Sequence, residues 1–115
     1  MTKMFKRNWA LLIMVAASLL LTTSSFGAAA DANTADLYKS KCSMCHGLDG
    51  KGYSAIHTPD FTSPKWQASV TDQQITAAIE NGVKGTSMPA WQGKLNTDQI
   101  HDLVGYIRSL NSAKK

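Results

Sequence analysis

A chain of 115 residues with 12 Lys+Arg, 8 Asp+Glu and two cysteines has room for one domain and excludes a disulfide framework. Its formal charge of +4 points at first to nucleic acid or an anionic membrane. Lys3, Lys6 and Arg7 supply most of that excess, and residues 31–115 hold 9 basic against 8 acidic side chains, which leaves no electrostatic footprint for nucleic acid.

Residues 1–30 read as a secretory signal peptide. Three basic residues precede an apolar run from Trp9 to Leu21, broken only by Ser18, and Ala28-Ala29-Ala30 form a small-residue exit. Cleavage after Ala30 is expected, with residues 31–115 exported to the periplasm and no membrane span left afterwards. The competing reading is an uncleaved anchor. The strongly apolar run falls short of the ~20 residues that span a bilayer, although the small residues after it could extend a tilted helix. Either way the cysteines lie outside the cytoplasm, where covalently modified thiols persist.

A helix is predicted from Asn33 or Thr34, either of which can cap it, through Ala35, Leu37 and Tyr38 towards Cys42. From Gly47 to Ser69 the signals are those of a loop, with Gly47, Gly50, Gly52, Pro59 and Pro64. Thr71-Asp72-Gln73-Gln74 has the capping-box pattern and opens a second helix, whose Ile75, Ala78 and Ile79 share one face and which stops at Gly82. A second loop, Val83–Leu95, contains Gly85, Pro89 and Gly93. Asn96-x-x-Gln99 opens the third helix, with Ile100, Leu103, Val104, Ile107 and Leu110 at helical spacing. The domain reads as all-α, three main helices with long loops.

Only 14 of residues 31–115 are Leu, Ile, Val or Phe. That is below the roughly 20% at which chains begin to look disordered, yet the near-zero net charge argues against disorder. A small domain with so thin an aliphatic set needs a staple such as a metal or cofactor, and its long loops need something to wrap around.

Cys42-Ser43-Met44-Cys45-His46 supplies the staple. C-x-x-C-H is the attachment pattern of a c-type haem. Two cysteines three apart on a helical turn can each bond a vinyl group on one porphyrin edge, and the next residue, His46, is then held beneath the iron. A Cys42–Cys45 disulfide would close a very small loop and stabilise little. A zinc site would need four ligands, and there is no second cysteine pair. A thioredoxin-like pair would need a βαβ framework that the chain does not offer. Gly47-x-x-Gly50-x-Gly52 has phosphate-loop spacing, but no strand precedes it.

With this motif and the following Leu48-Asp49-Gly50-Lys51-Gly52, residues 31–115 resemble the small soluble monohaem c-type cytochromes, class I-like and His/Met-ligated. The resemblance implies the cytochrome c fold around one haem c, covalently held by Cys42 and Cys45. It also implies that the post-motif glycines let backbone pass close to the porphyrin. Of the two methionines beyond Ala30, Met44 lies inside the motif, on the proximal side. Met88, in Gly85-Thr86-Ser87-Met88-Pro89-Ala90-Trp91, is similar to the family's distal loop, which implies iron ligation by His46 and Met88. The competing role for Met88 is core filling. His57 and His101 are the rival ligands. The family further implies that the Pro59 carbonyl accepts the other ring N–H of His46. Trp66 is a candidate for packing at the haem edge, its indole N–H near a propionate, with ordinary core filling as the competing role, and Trp91 is divided in the same way. The family pairs Tyr38 with Tyr106, Gly105 allowing close helix approach.

Six-coordinate iron with Met as one ligand leaves no open position for substrate. The expected function is therefore periplasmic one-electron transfer rather than catalysis, by a monomer that docks weakly with donor and acceptor proteins. Lys39, Lys41, Lys51, Lys65, Lys84 and Lys94 could contribute a cationic rim to that docking. The alternative is an electron-transfer subunit of a dehydrogenase or oxidase complex; a further one is a haem-based sensor or enzyme, which carbon monoxide binding would distinguish.

Overall fold

The computed structural model describes residues 32–114; the expected signal peptide, residues 1–30, lies outside the described residues. The described residues form five helices in order: α1 Ala32–Lys41, α2 Ser43–His46, α3 Pro64–Ser69, α4 Asp72–Asn81 and α5 Thr97–Ser109. Short 3-10 turns cover Ser54–Ile56 and Ser112–Lys114. Among the described residues the only β pairing is an isolated bridge between Gln92 and Leu95.

The three expected helices form where the sequence signals place them. Thr71 Oγ1 accepts the Gln74 N–H at 3.2 Å, and Gln74 Oε1 accepts the Thr71 N–H at 2.9 Å. Asn96 and Gln99 exchange the same pair of bonds at 2.8 and 3.0 Å. Each box satisfies two backbone donors that a helix start leaves open. At the first helix the boundary moves slightly. α1 begins at Ala32, and Thr34 is buried inside its first turn rather than capping it.

α3 replaces part of the long loop expected from Gly47 to Ser69. Ser63 caps it, accepting the Trp66 N–H at 3.4 Å, and Pro64 occupies its first position, where a missing N–H costs nothing. A six-residue helix is too short to display a periodicity, so its cap was the only local signal.

The core joins one face of α4 (Ile75, Ile79) to one face of α5 (Ile100, Leu103, Val104, Ile107), with Tyr38, Phe61 and Leu95 added from other segments. α1 and α4 both pack on α5. Tyr38, 1% exposed, meets Tyr106 with ring centroids 4.8 Å apart, so the aromatic pair between α1 and α5 is formed. Gly105 has a different role from the expected one. It is exposed, and a Cβ added there would meet no heavy atom within 4 Å, so it does not make room for α1.

Candidate cofactor site

α1 delivers the attachment motif. The Cys42 N–H bonds to the Tyr38 carbonyl at 2.8 Å, and the His46 N–H bonds to the Cys42 carbonyl at 3.0 Å. Cys42, Cys45 and His46 thus occupy little more than one helical turn, and all three are half-buried. Both cysteines are free thiols. Burial pushes the Cys42 thiol up to about 11, the signature of an apolar setting rather than of an activated thiolate. Met44 projects outward at 86% exposure, which removes it as an interior ligand.

The turn after His46 folds back over it. Gly47 has φ +78, and its carbonyl accepts the buried Tyr38 hydroxyl at 2.9 Å. The Gly52 N–H returns to the His46 carbonyl at 2.8 Å. A Cβ on Gly52 would lie 2.7 Å from both the Pro59 carbonyl oxygen and Thr58 Oγ1. On Gly50 it would lie 2.6 Å from Leu110 Cδ1. At Gly50 and Gly52, therefore, the glycines admit neighbouring protein segments.

The His46 ring lies on Phe61, centroids 4.7 Å apart and planes 18° from parallel, and Phe61 in turn meets Trp66 at 4.8 Å. Burial lowers the His46 pKa below its ordinary value, favouring the neutral imidazole that can bind a metal. Nδ1 of His46 is fully buried and has no hydrogen-bond partner, alone in this among the described side-chain nitrogens and oxygens. The expected bond from Nδ1 to the Pro59 carbonyl is therefore not formed; that carbonyl sits against Gly52 instead, one hydrogen-bonded neighbour away from His46.

Met88 is half-buried and packs against the same core that Cys42, Trp66 and Trp91 border. Its loop is fastened to the end of α4. The Trp91 N–H bonds to the Ile79 carbonyl at 2.9 Å, the Gln92 N–H to the Glu80 carbonyl at 3.1 Å and the Val83 N–H to the Met88 carbonyl at 3.2 Å. The rival ligands are elsewhere. His57 is exposed on a left-handed turn with φ 56, and the His101 side chain is 89% exposed beside Asp102.

One group of residues escaped sequence reasoning. Gln67, buried in α3, donates through Nε2 to the Phe61 carbonyl at 2.7 Å and the Ile107 carbonyl at 2.9 Å. Arg108 donates to the Gln67 carbonyl, Gln67 Oε1, the Val70 carbonyl and Asp72 Oδ1, at 2.7 to 3.0 Å. Arg108 reads from sequence only as a cation suited to the last turns of a helix. A buried glutamine on a short helix has no sequence signature.

The donor set suits a covalently held haem: two half-buried thiols on one turn, a neutral imidazole stacked on Phe61 and a half-buried thioether, with Cys42 and Met88 packed against the apolar core. Residues 29–107 match the family described as cytochrome c oxidase, cbb3-type, subunit III. The chain is 32% identical, over 95 residues, to the cbb3-type cytochrome c oxidase subunit FixP of Bradyrhizobium sp. (strain ORS 278), covering 83% of this chain and 31% of that protein. It is 37% identical over 70 residues to the subunit CcoP of Rubrivivax gelatinosus, covering 61% of this chain and 23% of that one. The chain thus spans under a third of the length of these relatives. Among solved structures it is similar to the KustC0563 c-type cytochrome, with a TM-score of 0.63 and 27% identity over 68% of this chain and 96% of that one. The c-type cytochrome NirC gives a TM-score of 0.58 and 28% identity over 68% of this chain and 87% of that one.

Proposed function

The chain belongs to the cbb3-type cytochrome c oxidase subunit III family and has the cytochrome c fold, and from that premise we propose that it is a haem c electron-transfer module working with a respiratory oxidase or a similar redox complex. The observation that carries the reading is the C-x-x-C-H turn with a half-buried imidazole whose Nδ1 is shut inside the protein. When bound, haem c supplies one-electron Fe(III)/Fe(II) chemistry.

The residues divide the remaining work. Cys42 and Cys45 hold the group covalently, so it is not lost outside the cytoplasm. His46 binds the iron through Nε2, because Nδ1 faces protein. Met88 supplies the second ligand from a loop anchored to α4, and Trp66 covers the edge beside Phe61. With His46 and Met88 both given to the iron, the group would keep no position for substrate, so the proposed role is transfer and not catalysis.

Two settings fit this chemistry. Similarity to FixP and CcoP supports an electron-transfer component of an oxidase complex, the setting we favour. A free monomeric periplasmic carrier is the second reading. It is supported by the match to KustC0563, nearly all of whose chain aligns with this domain. Both settings place residues 31–115 outside the cytoplasm: the free carrier after cleavage at Ala30, the oxidase component after cleavage or with residues 1–30 kept as an anchor. No described helix is long and apolar enough to cross a membrane.

Absorption spectroscopy of the purified holoprotein with redox titration tests the ligand set. A weak far-red Met–Fe(III) band is expected and should vanish in Met88→Ala. Its absence from the native protein would overturn ligation by Met88. Co-purification with larger redox chains at low salt separates the complex from the free carrier.

A further inference from the structure

We infer that Gln67 is a positioning residue for His46, acting through Phe61. The inference rests on the reading of His46 as iron ligand and adds to it what holds the imidazole in place.

Phe61 is pinned at both backbone ends. Its N–H bonds to the Gly50 carbonyl at 2.8 Å, and its carbonyl accepts Gln67 Nε2 at 2.7 Å. Its ring, 5% exposed, lies between the imidazole of His46 and the indole of Trp66. The near-parallel 18° stack gives His46 an aromatic wall on one face, which limits how far the imidazole can tilt while Phe61 is held.

The orientation of the Gln67 amide is decided by its neighbours. Arg108 can only donate, and it points Nη1 at Oε1 at 3.0 Å. The amide nitrogen is thereby turned to two carbonyls, those of Phe61 and Ile107. Gln67 so ties the Phe61 segment to α5, 40 residues away in sequence. Removing the amide leaves the Phe61 carbonyl without a donor, while the Ile107 carbonyl keeps the Leu110 N–H at 3.2 Å, and frees Phe61 from one of its restraints. An apolar wall beside an iron ligand controls water access and local polarity, and with them the potential.

The test uses holoprotein carrying Phe61→Leu, which keeps an apolar side chain and removes the aromatic face, or Gln67→Met, which keeps length and removes both donors. Ile100→Val, a core change about two turns of α5 before Ile107, is the stability control. Thermal melts, electron paramagnetic resonance of the ferric form and redox titration are read together. Both test variants should alter the ferric g-anisotropy. Both should also shift the Fe(III)/Fe(II) ratio at fixed ambient potential at least threefold towards Fe(III), because water reaching the imidazole favours the more charged state. Ile100→Val should change neither. Lower melting temperatures with spectrum and ratio matching the control would reduce Gln67 and Phe61 to structural roles and overturn the inference. Phe61→Leu decides alone if Gln67→Met yields no holoprotein. A native spectrum in His46→Ala would instead overturn the ligand assignment itself, an outcome separate from failure at Phe61 and Gln67.

Discussion

The carbonyl oxygen of Met88 lies 2.7 Å from where a Cβ on Gly82 would stand, so the distal loop rests directly on the residue that ends α4. Gly82 has φ 71 and ψ −176, a region open essentially to glycine alone. The stop signal of a helix and the seat of a candidate ligand are thus one position.

Gly82→Ala is therefore expected to cost more than its backbone strain of about 1–3 kcal/mol, because Met88 must also move. Gly85→Ala is the comparison. Gly85 also has a positive φ, +79, but a Cβ there meets nothing within 4 Å. Chemical denaturation should show a cost of about 1–2 kcal/mol for Gly85→Ala and a larger one for Gly82→Ala. Only Gly82→Ala should also weaken the far-red Met–Fe(III) band.

Arg108→Leu should destabilise by about 2–3 kcal/mol, since it strips a cation from two backbone carbonyls and from Gln67 Oε1. Asp72→Asn should cost less than about 1 kcal/mol, because the Asp72 side chain is 70% exposed and its ion pair is screened. Urea titration of the two variants checks the ranking.

Tyr38 sets an alkaline limit. Burial, aided by nearby Cys42 and Tyr106, raises its phenol above the ordinary value of 10.0. The folded state thus holds the proton more tightly than the unfolded chain does. The stability this contributes is complete below pH 10 and is lost as the pH climbs towards the folded value. Tyr38→Phe removes the bond to the Gly47 carbonyl, so it should cost about 1 kcal/mol at neutral pH. Its stability should then fall less steeply above pH 10, as melts across that range would show.

Gly105→Ala should stabilise by about 0.5–1 kcal/mol. Gly105 is exposed in the interior of α5 with open space at its Cβ position, so alanine removes an entropy cost and meets no clash. A lower melting temperature would restore the expected role of Gly105 in close helix approach.

Haem removal tests the thin core. Among the described residues only nine apolar side chains are buried, and just Tyr38 and Leu103 of the large ones are below 2% exposure. Expressed without haem attachment, residues 31–115 should show no cooperative thermal transition by circular dichroism.

The attachment turn and the two capped helices were legible in the sequence because each is local. C-x-x-C-H needs only adjacent residues on one turn, and a capping box is complete within four. The stripe from Ile100 to Ile107 reports its own buried face. Three contacts were not legible. Gln67 reaches Ile107 across 40 residues. The Phe61 ring is set against His46 by its backbone's bonds to the Gly50 carbonyl and the Gln67 side-chain amide, neither of which leaves a pattern in the chain. Gly105 was misassigned because a helical glycine signals a missing side chain without saying what faces it. What the sequence by itself determined was the chemistry: a haem-attachment turn, its histidine and an all-α frame, since local spacing and capping carry that information. Only the tertiary structure decided which groups surround that histidine, where Nδ1 is left unpartnered and how Gly82 seats Met88. Those depend on through-space packing between segments that have no covalent memory of one another.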